Sequence, residues 1–314
     1  AVTTDNSGVA TANLVSLVAG DHPVTVTVGT HTTAAKNATF IADETTAVIA
    51  ATDFTVASGA VANGTGTNAL SATVKDAGGN TVPNISVTFA ETGGATFAGG
   101  TQTSLAVITD NNGVATANLV SLVAGDHPVT ATVGTNTTAA KNSAFVADET
   151  TAVIAATDFT VASGAVANNS ATNALSATVK DASGNTVPNV SVTFAETGGA
   201  TFAGGTQTSL AVITDNNGIA TAELVSLVAG DHPVTATVGT HTTAAKNSTF
   251  IADETTALIA AADFTVTSGA VANNSATNAL SATVKDSHGN TVPNVSVTFT
   301  EPAGRPLRVA LRPV

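Results

Sequence analysis

Apolar and polar residues alternate along most of this chain. In "NALSATVKD", Leu70, Ala72 and Val74 fall on one face and Ser71, Thr73 and Lys75 on the other. That is the period-two pattern of a half-buried strand. "DAGGN" at 76–80 predicts a turn, and "VPNISVTF" follows with Pro83 near the strand start and Ile85, Val87 and Phe89 inward. "LAVITDNNGVATANL" reads as a hairpin whose tip, Asn112-Gly113, supplies positive φ angles. "HPVTATVG" turns Val129, Ala131 and Val133 inward, and "AAKNSAFVAD" is a final strand carrying Phe145. About seven strands, closely spaced turns and no helical segment predict an all-β fold, an antiparallel β-sandwich of Ig type.

The whole pattern recurs. "AGDHPVT" starts at Ala19, Ala124 and Ala229, and "NALSATVKD" at Asn68, Asn173 and Asn278, a spacing of 105 residues each time. Residues 47–151 and 152–256 differ at 10 of 105 positions. A unit of about 100 residues can bury its own core, unlike a solenoid repeat of 20 to 50. The expected organisation follows. Residues 1–46 are the C-terminal half of a repeat, 47–151 and 152–256 are complete repeats, and 257–300 are the N-terminal half of another. The complete repeats are expected to fold, and the half repeats to be poorly stable, because each exposes an apolar face and unpaired strand edges. The front half of one molecule could pair with the back half of another, giving head-to-tail oligomers.

The segment 301–314, "EPAGRPLRVALRPV", breaks the repeat and carries all three arginines, Arg305, Arg308 and Arg312. Leu307 to Val314 can be encoded TTG CGG GTG GCA CTC AGA CCA GTC. Shifted by one base, this reads Leu-Ala-Gly-Gly-Thr-Gln-Thr-Ser, which matches Ala98 to Ser104 in register. The tail is read as repeat DNA translated out of frame, and its arginines as no functional basic site.

Composition narrows the function. Lys and Arg total 9 against 22 Asp and Glu, for a net charge of −13, which excludes a nucleic-acid partner. Cys is absent, so there are no disulfides, thiolate metal sites or cysteine nucleophiles. Phe, with 11 copies and no Tyr or Trp, must fill the space that an Ig domain usually gives to Trp and a disulfide.

Candidate chemistry is sparse. His22, His127 and His232 recur in "GDHP", with His31, His241 and His288 elsewhere. Asp126 adjoins His127, but no nucleophile and orienting partner in triad order is evident, so the histidine reads as an exposed turn residue before Pro. Carboxylates gather near the repeat boundaries: Asp43, Glu44 and Asp53; Asp148, Glu149 and Asp158; Asp253, Glu254 and Asp263. They could hold Ca²⁺ at a junction, but no D-x-D-x-D loop supports this over solvated linker charges. Outward Thr pairs such as Thr130 and Thr132 suit any solvated sheet face better than an ice-binding one. Lys75 and Lys141 are candidates for isopeptide cross-links. No catalytic, cofactor-binding or metal-binding residue is assigned, and no cofactor is expected.

Three spaced motifs carry a resemblance. "DAGGNTVPNISVTF" at Asp76–Phe89, "TDNNGVATANL" at Thr109–Leu119 and "AGDHPVTATVG" at Ala124–Gly134 resemble the bacterial Ig-like domain, group 1. That domain is the repeat unit of intimin- and invasin-type surface adhesins. The resemblance implies tandem Ig-like sandwiches forming an elongated extracellular array, anchored in the outer membrane through a region not present here. It implies a non-enzymatic stalk that holds a binding tip away from the cell. Partners would be neighbouring repeats of the same chain, and a host-cell surface protein or glycan met by a tip domain not seen here. The alternative is that the repeats themselves bind host glycoprotein or matrix, or stiffen through Ca²⁺. Arg and exposed aromatics, the usual anchors of such contacts, are missing from the repeats, which favours the stalk.

Overall fold

The computed structural model describes residues 1–301, so the arginines and the out-of-frame reading of the tail from Pro302 onward lie outside the described residues. The chain divides into two compact units. One comprises residues 1–148 with 183–185. The other comprises 149–182 with the residues from 186 onward.

The first unit holds one complete β-sandwich. Phe54–Val56, Asn68–Thr73, Val114–Val120 and Thr96–Phe97 form a four-stranded sheet in that order. The facing sheet runs Ser104–Ile108, Ser86–Glu91, Gly125–Val133, Lys141–Val146 and Ala60–Val61, with Asn136–Thr137 folded onto Gly125–Val133. The predicted alternation sets the registers. Leu70, Ala72 and Val74 are buried, as are Val87, Phe89, Val129, Ala131, Val133 and Phe145. Phe54 and Phe89 stack with ring centroids 6.3 Å apart, and Phe97 is fully buried with them. These rings fill the centre of the sandwich. Fully burying a Phe side chain is worth about 1.5–3 kcal/mol, so this cluster dominates the apolar contribution.

Five details differ from the sequence reading. The strand count is ten once two-residue strands are included. The predicted hairpin is an arch: Ser104–Ile108 pairs with Ser86–Glu91 in one sheet, while Val114–Val120 pairs with Asn68–Thr73 in the other. At the arch, only Gly113 has positive φ, +74°, and Asn112 does not. The sandwich is also not wholly antiparallel, because Lys141–Val146 pairs with Ala60–Val61 in parallel. Ile85 is half-buried and packs on the core edge.

The second unit repeats this plan. Phe159–Val161, Asn173–Thr178, Ile219–Val225 and Thr201–Phe202 form one sheet. Ser209–Ile213, Ser191–Glu196, Gly230–Val238, Lys246–Ile251 and Ala165–Val166 lie in the other. Phe159, Phe194, Phe202 and Phe250 are buried at the matching positions.

The flanking segments are thinner. Residues 1–46 form only two small sheets, Gly20–Val24 with Lys36–Phe40 and Thr27–Val28 with His31–Thr32. Beyond the second sandwich, Phe264–Val266 pairs with Leu280–Ala282. Val15, Leu17 and Ile41 are 88%, 85% and 89% exposed, since no second sheet covers them.

Candidate functional site

The histidine of "GDHP" is buried, contrary to the exposed-turn reading. His127 lies on Gly125–Val133 with 1% exposure and meets Phe145 edge-on at 5.4 Å. Its Nε2 donates to the Val123 carbonyl at 2.9 Å and stands 3.2 Å from Ser121 Oγ. Its Nδ1 stands 3.4 Å from Glu91 Oε1. His232 repeats this with Ser226, Val228 and Glu196. A Ser–His–Glu constellation that the sequence reading did not find is therefore assembled twice. Parity is the missed signal, because His127 shares the odd positions of the inward Val129, Ala131 and Val133.

The arrangement does not activate a nucleophile. Ser121 Oγ accepts from the Val123 amide at 2.9 Å and donates to the Val123 carbonyl at 2.8 Å, so its proton is held by main chain. Glu91 accepts from the Gly93 and Gly94 amides. All three side chains are buried. A nucleophile needs a base free to take its proton and a reachable electrophile. Here the groups tie a loop to two strands.

The boundary aspartates are dispersed among separate partners, and Glu44, Glu149 and Glu254 each open a short 3-10 turn. Asp43 Oδ1 accepts from the Thr45 amide and hydroxyl, which hold its carboxyl below the usual range, the hydroxyl bond leading. Asp53 pairs with Lys75 at 2.8 Å, Asp158 with Lys180 at 2.9 Å and Asp263 with Lys285 at 2.6 Å. Among the described residues, no group of three or more His, Asp or Glu comes together as a metal site. Ca²⁺ takes six to eight oxygens, so a carboxylate already paired with lysine is a poor start. The lysine candidates resolve differently. Lys75 forms the ion pair with Asp53, while Lys141 Nζ donates to the Ala51 and Phe54 carbonyls and faces no carboxylate there. Thr132 Oγ1 bonds Thr137 Oγ1 at 2.9 Å, an internal cross-strand contact.

The densest polar geometry sits at the "DAGGN" turn. Asp76 is 7% exposed. Its Oδ1 accepts from the Asn80 amide at 2.8 Å, and its Oδ2 from the Asp43 amide at 3.0 Å. Asn80 Nδ2 donates to Asp76 Oδ2 at 2.9 Å and to the Leu17 carbonyl at 2.9 Å, while its Oδ1 accepts from the Ala19 amide at 2.8 Å. The Ala77 amide donates to Thr46 Oγ1 at 3.1 Å. The Asn80 side chain, then the Asp43 amide, hold the Asp76 carboxyl below its ordinary range.

Both units are thus Ig-like β-sandwiches built on Phe cores, with structural polar clusters. The model of the bacterial Ig-like domain (group 1) matches residues 51–146, 156–251 and 261–308. The chain belongs to that family. It is 32% identical over 299 residues to the inverse autotransporter adhesin YeeJ of Escherichia coli K12, a match covering 94% of this chain and 12% of the relative. The chain therefore spans about an eighth of that protein. Among solved structures, InvD of Yersinia pseudotuberculosis aligns at 18% identity with a TM-score of 0.55, covering 77% of this chain and 73% of its own. The Escherichia coli adhesin FdeC aligns at 23% with a TM-score of 0.54, covering 81% and 79%. Both show the same fold.

Proposed function

We propose that this chain is a stalk segment of a bacterial cell-surface adhesin, held at the outer membrane by a region outside this sequence and carrying a binding tip. The observation that supports it best is the near-identity of two self-contained sandwiches. Near-identical modules with no distinguishing site do the same thing twice, and adding length is a function that repetition serves. Each 105-residue sandwich is about 40 Å long, so every added repeat extends reach by about that much. The net charge of −13 keeps strand-rich repeats soluble and apart. The similarity to an inverse autotransporter adhesin supports a place at the cell surface.

The test uses the full surface protein that carries this segment. In-frame deletion of residues 47–151 should bring a tip epitope closer to the membrane by about 40 Å, and leave binding of the isolated tip unchanged. The purified 314-residue chain should show no saturable binding to host-cell surfaces or matrix protein. Saturable binding would replace the stalk with the reading in which the repeats themselves are the adhesive modules.

A further inference from the structure

We propose that the Asp-x-x-Gly-Asn turn of each repeat is a docking clasp for the main chain of the repeat before it. The geometry is the same in both units. In the first, Asn80 takes the Leu17 carbonyl and the Ala19 amide, and Asp76 takes the Asp43 amide. In the second, Asn290 Nδ2 donates to the Leu227 carbonyl at 2.9 Å, and its Oδ1 accepts from the Ala229 amide at 2.8 Å. Asp286 Oδ2 accepts from the Asp253 amide at 3.1 Å, and the Ser287 amide donates to Thr256 Oγ1 at 3.2 Å. Equivalent bonds agree to about 0.1 Å between the units.

The chemistry requires Asn. One planar amide must present an acceptor to residue 19 and a donor to residue 17, as one rung of a β-ladder does. The carboxylate fixes which way the amide points. Asn80 Nδ2 spends its second hydrogen on Asp76, and a flipped amide would set N–H against N–H at Ala19 and oxygen against oxygen at Leu17 and Asp76. The same Asp is itself held by the Asn80 amide, so the clasp is assembled before any partner arrives.

The partner is a main-chain segment of another Ig-like repeat, recognised through C=O and N–H groups rather than side chains. Side chains at 17–19 and 43 can therefore change without loss of docking, and repeats can be added or removed without redesigning each junction. No metal is needed for this contact. The clasp rests on the stalk reading for its purpose. Its test does not, so either can fail alone.

The test is amide hydrogen exchange at Ala229 in the full 314-residue chain. Ala229 belongs to the complete second sandwich but bonds Asn290 of the flanking half, so its protection is read together with that of Val292, which reports whether that half is folded. The wild-type amide should be protected. Asn290→Ala should raise its exchange at least about tenfold, and so should Asn290→Asp, which keeps an acceptor but sets oxygen against the Leu227 carbonyl. The Val292 amide, which bonds the Val284 carbonyl at 2.9 Å, should keep its protection and report that the turn region still folds. An unprotected wild-type Ala229 overturns the proposal, as does protection that survives both substitutions. Loss at Val292 in both variants also overturns it, because Asn290 would then serve its own turn and not a dock.

Discussion

His127 shows how strand parity places a residue that local sequence misassigns. Followed by Pro, it reads as a turn residue. Strand pairing puts it on the inward side of Gly125–Val133, where it fills volume beside Phe145 and binds the Val123 carbonyl. His127→Ala leaves a cavity and frees a buried carbonyl. It should cost about 3 kcal/mol, seen as a lower urea midpoint with unchanged slope. The glycines give a sharper contrast. Gly113 and Gly79 both have positive φ, +74° and +85°. A Cβ on Gly113 would lie 2.9 Å from Thr81 Cβ and Val82 N, whereas one on Gly79 would meet nothing within 4 Å. Gly79→Ala should cost about 1 kcal/mol from strain alone, and Gly113→Ala roughly 3 kcal/mol because the arch must shift as well. Equal urea midpoints for the two variants would show that the close approach at the arch does not matter. The Asn-Gly pair was visible in the sequence, but its demand for glycine comes from Thr81 and Val82, contacts that only the fold creates.

At the level of the element, one sequence takes two structures. "VATANLV" is a seven-residue strand at Val114–Val120, yet the identical Val9 to Val15 forms no strand. The first has Asn68–Thr73 beside it and a facing sheet that carries Phe89, and Leu119 is fully buried; its counterpart Leu14 is 50% exposed. Alternation was legible as strand potential; pairing decides whether that potential is realised. The same limit explains the arch. Periodicity located Ser104–Ile108 and Val114–Val120, but a short turn between them does not say whether they share a sheet. With no cysteine in the chain, a cross-link can decide. Cysteines at Ala106 and Thr88, which are register partners, should oxidise readily to an intramolecular disulfide. Cysteines at Ala106 and Leu119, the partners a hairpin centred on Asn112-Gly113 would give, should not. The docking turn is another element whose chemistry was half visible, since "DAGGN" announced a turn but not its partners. For Asp286, burial pushes the carboxyl up, but bonds from the Asn290 side chain and the Asp253, Asn290 and His288 amides outweigh it and bring it to about 2. A folded value below the free value of 3.8 stabilises the folded turn above about pH 4, and that stabilisation is lost as pH falls through 2. A carboxyl-carbon NMR titration should place the Asp286 midpoint near 2; a midpoint at or above 3.8 would contradict the set of hydrogen bonds.

For the whole molecule, the 105-residue period was the most legible feature and bears on two expectations. The boundary aspartates Asp53 and Asp263 are paired with lysines and Asp43 with an amide, and among the described residues no three acidic groups come together, so thermal unfolding should be the same in chelator and in millimolar Ca²⁺. The second expectation concerns stability along the chain. Each complete sandwich covers its Phe core on both faces. The flanks do not: Val15, Leu17 and Ile41 at one end, and Phe264 and Val266 at the other, face solvent. Their main chain is also held by few ladders, two small sheets in residues 1–46 and one three-residue pair beyond residue 257. Segments with few buried contacts open locally at low free energy and are cut first. Limited proteolysis should therefore trim both flanks and leave a resistant core close to residues 47–256. The apolar faces of the flanks have complements in each other, since the strands missing from residues 1–46 are largely those present in 257–300. At high concentration, light scattering should show head-to-tail association of the intact chain, and the trimmed core should remain monomeric. A strict monomer for the intact chain at high concentration would rule out this head-to-tail pairing.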